Sequence, residues 1–331
     1  MSAPPRHIDV CNGDADGLCA LLQWRLAHPV AAGHGEQHIG LKREHDLLCH
    51  VQAAAGDEVT VIDMALGTQG AAVQALLDAG VRVRHIDHHF GAPLPPHPLL
   101  QTHIDTDAAV CSGLIVHRLI GGRFPGWAAV CAHGDNLHAS ANALGRTLGL
   151  SAHQQAALQA LGQAINHNAY GDTLADVRLP PAELLAHLMH FTDPFAALHD
   201  EPMLAMLRQG MADDLAQAEA IVPRGVGPQA LLWSLPDAPW ARRASGSLAN
   251  RWSLAHPQQA CAVLRQRADG DWVVSVRAPQ TSPHGAAALC QAFGGGGRAT
   301  AGGIDALPDA EVAAFASALA RHAWRSPSVA D

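Results

Sequence analysis

Four apolar segments early in the chain each run into an acidic residue, and this recurrence restricts the fold more than any other feature. His7-Ile8-Asp9-Val10 reads as a strand and leads to Asp14 and Asp16, while Val59-Thr60-Val61-Ile62 reads as a buried strand and leads to Asp63. Val81-Arg82-Val83-Arg84 alternates apolar and polar, as a half-buried strand does, and leads to Asp87-His88-His89. The apolar segment Trp127 to Ala132 leads to Asp135 at a strand or helix end. Helical stretches, Leu18 to Leu26 and Ala71 to Ala79, lie between the first strands. This alternation predicts an α/β fold with a doubly wound, mostly parallel sheet. Such a sheet gathers the C-terminal ends of its strands on one edge, where ligands bind. The acids are therefore expected to converge despite their separation in sequence.

Each acidic position also has a plain structural explanation. An aspartate between a strand and a helix is a favoured N-cap, and a chain with 22 histidines will sometimes place two in a row. A cap accounts for one member of Asp14-Ala15-Asp16-Gly17 but not for both. Two carboxylates one residue apart repel, and their pairing makes sense beside a hard cation.

At 331 residues the chain is expected to form more than one domain. We expect a catalytic domain over 1–195, a helical connector over 196–225 and a smaller mixed α/β domain over 226–331. In the middle region, Ile165 to Asp172 holds Asn166, His167, Asn168 and Tyr170 just past a helix, either as a substrate contact or as helix termination. Further on, Cys261 to Leu264 and Trp272 to Val276 read as a hairpin that delivers Arg277. The run Gly294, Gly295, Gly296 and Gly297, followed by Arg298, lets the backbone approach an anion and aim N–H groups at it.

A net charge of −9 argues against a broad basic surface for long duplex DNA, although a local pocket for a small anion is compatible with it. Lys42 is the only lysine. The seven cysteines form no C-x-x-C pair and sit beside apolar segments, as reduced thiols do. No signal-peptide pattern or membrane-length apolar run is present, so a cytoplasmic protein without membrane contact is expected.

The order of these motifs resembles the DHH phosphoesterase superfamily. Asp14-Ala15-Asp16-Gly17, Asp63, Asp87-His88-His89 and Asp135 match its four motifs in sequence, and the likeness covers residues 1–140. Gly294 to Gly303, with Ser275-Val276-Arg277 before it, resembles the glycine motif and S-x-R strand end of the C-terminal domain that accompanies DHH nucleases and oligoribonucleases. The resemblance implies a hydrolase that cleaves phosphodiester or phosphomonoester bonds of short oligonucleotides or small nucleotides, using two Mn²⁺ ions for which Mg²⁺ or Co²⁺ can substitute. A weakly catalytic nucleotide sensor and a single-strand exonuclease are the other readings, and a homodimer is compatible with the sequence.

Carried over by motif, Asp63 bridges the ions, Asp14 binds the first, and Asp16, His88 and Asp135 bind the second. His89 acts on the substrate phosphate or leaving group, Asp87 orients the imidazoles, and Arg277, Gly294 to Gly297 and Arg298 bind the far part of the substrate. Two positions depart from the pattern. Val10 stands where many members have a histidine for the first ion, and Arg298 stands where a histidine usually follows the glycines.

Overall fold

The computed structural model describes residues 5–324 except 43, 45, 67–68 and 92–93. The chain divides into two compact units, Met1–Gly210 and Met211–Asp331. The division falls inside a helix within the segment expected to be a connector.

The first unit is built on five strands, β1 (His7–Asn12), β2 (Gly35–Gly40), β3 (Glu58–Ile62), β4 (Arg82–Asp87) and β5 (Leu100–Ile104). They lie in the order β2-β1-β3-β4-β5, and every neighbouring pair is parallel. Strand order reverses between β1 and β3, which makes the gap beyond their C-terminal ends the switch point of the sheet. Asp14 follows β1 and Asp63 follows β3, so the topology puts both acids there. The sequence reading lacked β2, whose Gly-Glu-Gln-His-Ile-Gly offers little apolar signal because it is an edge strand paired on one side only.

Helix α1 (Ala15–Ala27) is buried on all sides from Ala15 to Arg25. A helix enclosed this fully lies between layers, and α1 packs against β1 and against α3 (Ser112–Leu119) and α4 (Pro125–Gly134). Between β3 and β4 lies α2 (Gly70–Asp78), whose Val73, Leu76 and Leu77 join Ile8, Val10, Val59, Val61, Val81 and Val83 in one core. The remaining helices of the unit are α5 (His138–Thr147), α6 (Ala152–Asn168), α7 (Pro181–Leu188), α8 (Pro194–Asp200) and the start of α9 (Pro202–Glu219). Helix α6 opens on a complete capping box between Ser151 and Gln154.

One sequence expectation is corrected here and one open alternative is decided. The segment Ile165–Asn168 is the last turn of α6 and not a loop beyond it, and the buried Asn168 side chain ties that turn to Arg178 and Leu179. The apolar segment before Asp135 is helix α4 and not a strand, so Asp135 is a helix C-cap.

The second unit carries a six-stranded mixed sheet. Its strands β6 (Arg224–Gly227), β7 (Ala230–Leu235), β8 (Ala260–Gln266), β9 (Trp272–Arg277), β10 (Gly296–Gly297) and β11 (Ala301–Leu307) lie in the order β10-β11-β9-β8-β7-β6. Only β7 and β8 run parallel, with α10 (Pro239–Ala255) as their crossover. Helices α11 (Ala286–Gln291) and α12 (Val312–Arg321) complete it, and Phe315 and Leu319 of α12 enter the sheet's core.

In this unit the glycine run does not form an open nest of N–H groups. The Gly294 and Gly295 N–H groups donate to the Gln291 and Cys290 carbonyls, while Gly296 and Gly297 form β10 against Gly303 and Gly302. At Gly295 and Gly297 the need for glycine is steric. A Cβ at Gly295 would come within 2.1 Å of the Gly303 oxygen. Arg298 is exposed just beyond β10, and Arg277 donates to Asn250 Oδ1 at 2.7 Å.

Candidate metal centre

Asp14 and Asp16 each serve a helix N-terminus. Asp14 caps α1, its Oδ1 accepting from the Asp16 and Gly17 N–H groups at 3.0 Å each. Asp16 reaches across to α3, accepting from the backbone of Ser112 and of Gly113 at 2.8 Å each. Sequence reasoning allowed a cap for only one aspartate, because the second helix end lies about 96 residues away. Glycine is required at position 113 for this approach, since a Cβ there would lie 2.1 Å from Cys131 Sγ.

Asp63 directly follows β3 with φ at 60°, in the left-handed region that non-glycine residues seldom enter. Its buried carboxylate accepts from the Ser112 hydroxyl at 2.9 Å. The other left-handed non-glycine residue among the described residues is Asn136 (φ 61°), which follows Asp135 at the end of α4. Both unusual turns thus adjoin acids of the site.

His88 stands at the centre. Its Nε2 lies 3.4 Å from Asp63 Oδ1, 3.8 Å from Asp135 Oδ2 and 3.9 Å from Asp16 Oδ2. His89 points its Nδ1 to Asp87 Oδ1 at 2.7 Å, an arrangement in which Nδ1–H donates and Nε2 remains available. Asp87 also accepts from the His88 backbone at 2.8 Å and has the buried His85 ring 3.6 Å away. One ligand atom from each of Asp63, His88 and His89 lies within 4.8 Å of the other two.

The electrostatics show what the cluster lacks. Burial, together with the charge of Asp63, pushes Asp16 up to about 7, and burial with the charge of Asp16 pushes Asp135 up to about 6. Burial and Asp14 raise Asp63 as well. Burial opposes a charged His88, but its contacts with Asp63, Asp16 and Asp135 outweigh this and raise it to about 9. The hydrogen bond to Asp87 raises His89. Burial alone would raise Asp87, yet its bonds to His85 and His89 hold it well below the usual carboxylate range. Several carboxylates thus share too little positive charge, a deficit that a bound cation would relieve.

A divalent ion fits this donor set. Adjacent ligands at about 2.1 Å from a common ion lie about 3–3.5 Å apart. The separations around His88 Nε2 lie at and slightly above that range, longer than hydrogen bonds. Carboxylate oxygens with imidazole nitrogen suit Mn²⁺. Ser112 and Gly113 went unrecognised in the sequence, where only the dipeptide at a helix start could have signalled them.

No protein-family model matches the sequence, and no curated protein matches it. Solved structures do. A DHH domain described as a member of a family of ribosomal proteins superposes with a TM-score of 0.69 at 14% identity, over 96% of this chain and 86% of the other. An exonuclease RecJ solved with manganese gives 0.63 at 18% identity, over 97% and 91%. The pGpG-specific phosphodiesterase PggH from Vibrio cholerae gives 0.57 at 13% identity, over 95% and 97%. The fold is the DHH fold. Within the DHH fold of this chain, Asp87-His88-His89 ends the strand β4 next to the switch-point strand β3. Val10, the position at which the DHH resemblance led us to expect a further histidine, is fully buried in β1.

Proposed function

We propose that this protein is a divalent-metal-dependent phosphoesterase that hydrolyses phosphodiester or phosphomonoester bonds of short oligonucleotides or small nucleotides. The observation that carries this reading is the placement of Asp16, Asp63 and Asp135 around His88 Nε2 at 3.4–3.9 Å. The fold likeness to a manganese-bound exonuclease and to a pGpG-specific phosphodiesterase supports it.

Asp16, Asp63, His88 and Asp135 would hold Mn²⁺, with Mg²⁺ or Co²⁺ as substitutes. A bound divalent ion would neutralise phosphate charge and acidify a water molecule. Ser112 fixes the Asp63 carboxylate, and the Ser112 and Gly113 N–H groups fix Asp16, so the ligands are oriented before substrate arrives. Asp87 holds the His89 ring through Nδ1–H, so that in the imidazolium form Nε2–H can donate to a phosphate oxygen or the leaving oxygen. The His89 side chain is 41% exposed and can reach a substrate. Beside it Phe90 is 77% exposed and offers a stacking face to a nucleobase. In the second unit Arg277 and the exposed Arg298 are assigned to an anionic group, whereas the Gly294 and Gly295 N–H groups already donate within the chain. The net charge of −9 favours short substrates over long strands.

The test is hydrolysis of di- to pentanucleotides, pGpG, 3′-phosphoadenosine 5′-phosphate and a long single strand, with Mn²⁺ and with chelator. Metal-dependent turnover confined to the short substrates is expected. Tight metal-independent nucleotide binding without turnover would point to a sensor, and comparable cleavage of the long strand would point to an exonuclease.

A further inference from the structure

Asp14 stands apart from the ligands around His88. Its Oδ1 accepts from the two N–H groups at the start of α1, so Oδ2, which apart from Lys42 meets only a long 3.4 Å contact from the Asn12 amide, is the oxygen turned toward a cation. Lys42 Nζ already holds that oxygen. The Asp14 side chain is 2% exposed and that of Lys42 is 22% exposed, so the pair is largely screened from water. The backbone N–H of Lys42 donates to the Ala169 carbonyl at 3.1 Å, and its ammonium lies 5.5 Å from the centre of the Tyr170 ring. The single lysine of the chain is therefore anchored at both ends where the first cation of a two-ion centre would bind Asp14.

A further observation agrees. The histidine expected to complete that half of the centre is Val10, which is buried and supplies no ligand atom. An ion entering at Asp14 would have to expel the ammonium and leave it without its carboxylate in a mostly buried place, which is unfavourable.

We propose that Lys42 takes the place of the first cation, so that the centre pairs one divalent ion on the His88 side with a fixed ammonium on the Asp14 side. This rests on the metal-dependent reading above and alters its stoichiometry. The ammonium is a permanent single charge with N–H donors, suited to a phosphate oxygen facing Asp14 and Asp63.

The experiment counts Mn²⁺ per chain by titration calorimetry and by electron paramagnetic resonance of free Mn²⁺, for the wild type, Lys42→Met and Lys42→Arg. Circular dichroism verifies that each is folded. One ion is expected in the wild type and in Lys42→Arg, and two in Lys42→Met, where Asp14 and Asp63 have lost their counter-charge. Two ions in the wild type, or one in all three proteins, would overturn the proposal while leaving a metal-dependent enzyme intact. No ion in any of the three would overturn the metal-dependent reading itself, and this proposal with it.

Discussion

Replacing Asp16 by asparagine should change the pH dependence of folding by an amount the structure specifies. In the metal-free protein, burial and the neighbouring Asp63 raise Asp16 from an ordinary 3.8 to about 7. A group with a raised folded pKa contributes stability that is fully present below its unfolded value and is lost as pH rises through its folded value. For Asp16 that window runs from about pH 4 to about pH 7. Two of its three units lie above pH 5, and each is worth about 1.4 kcal/mol, so wild-type stability relative to Asp16→Asn should fall by about 3 kcal/mol between pH 5 and pH 8. Asparagine keeps one acceptor for the N–H groups of Ser112 and Gly113 and loses the other, a pH-independent cost of about 1–3 kcal/mol. Comparing the proteins pairwise removes the contributions of titrating groups that do not interact with Asp16, such as His133, while Asp63, His88 and Asp135 respond to the substitution and their response is part of the difference measured. The assay is urea denaturation with chelator, followed by tryptophan fluorescence and circular dichroism at half-unit pH steps. Saturating Mn²⁺ should abolish the decline in the wild type. A difference that stays flat within about 1 kcal/mol, or rises with pH, would refute the reasoning that Asp16 is a buried carboxylate short of counter-charge.

Other parts of the structure are open to equally direct tests. Ser112→Ala removes the hydroxyl that orients Asp63 and should weaken Mn²⁺ binding by about 10–100-fold with the fold retained; calorimetry returning wild-type affinity would remove Ser112 from the centre. Phe90→Ala should raise KM for a dinucleotide by about tenfold, the loss of one base-stacking contact, with kcat little changed. Equal KM values would show that Phe90 does not meet the base. Arg25 clamps Asp9 with bonds of 2.7 and 2.5 Å, and both side chains are buried. Arg25→Met, which leaves that carboxylate uncompensated, should cost about 3–5 kcal/mol in denaturant unfolding, whereas a cost near zero would mean that the pair contributes little.

What the sequence disclosed follows the range over which each signal acts. Strands β1, β3 and β4 carry their apolar patterns within a few residues, and the acids after them stand at chain positions that a parallel sheet must bring to one edge. That was enough to outline the first unit and to name Asp14, Asp16, Asp63, Asp87, His88, His89 and Asp135 as candidates. Contacts between distant segments were not legible. The bond from Ser112 to Asp63 and the capping of α3 by Asp16 join chain positions with no shared local pattern. In the sequence Lys42 stands out only as the single lysine, and its place between the end of α6 and the carboxylate of Asp14 is visible only in the structure. The glycine run misled for another reason. Its composition suits an anion nest and also suits crowding, and the internal hydrogen bonds of Gly294 and Gly295 with the 2.1 Å approach of the Gly303 oxygen to a Cβ at Gly295 distinguish the two. Helix α4 is apolar almost throughout, so its periodicity could not separate a buried helix from a strand.

The central claim is that the carboxylates gathered around His88 bind a divalent ion that phosphate-ester hydrolysis requires. Initial rates on a dinucleotide, taken for chelated protein, for the same protein with Mn²⁺ restored, and for His88→Ala with Mn²⁺, test it most directly. We predict no turnover after chelation, full recovery on adding Mn²⁺, and a loss of about 10³-fold or more in a folded His88→Ala protein. Turnover that survives chelation, or a His88→Ala variant with wild-type rates, would contradict it.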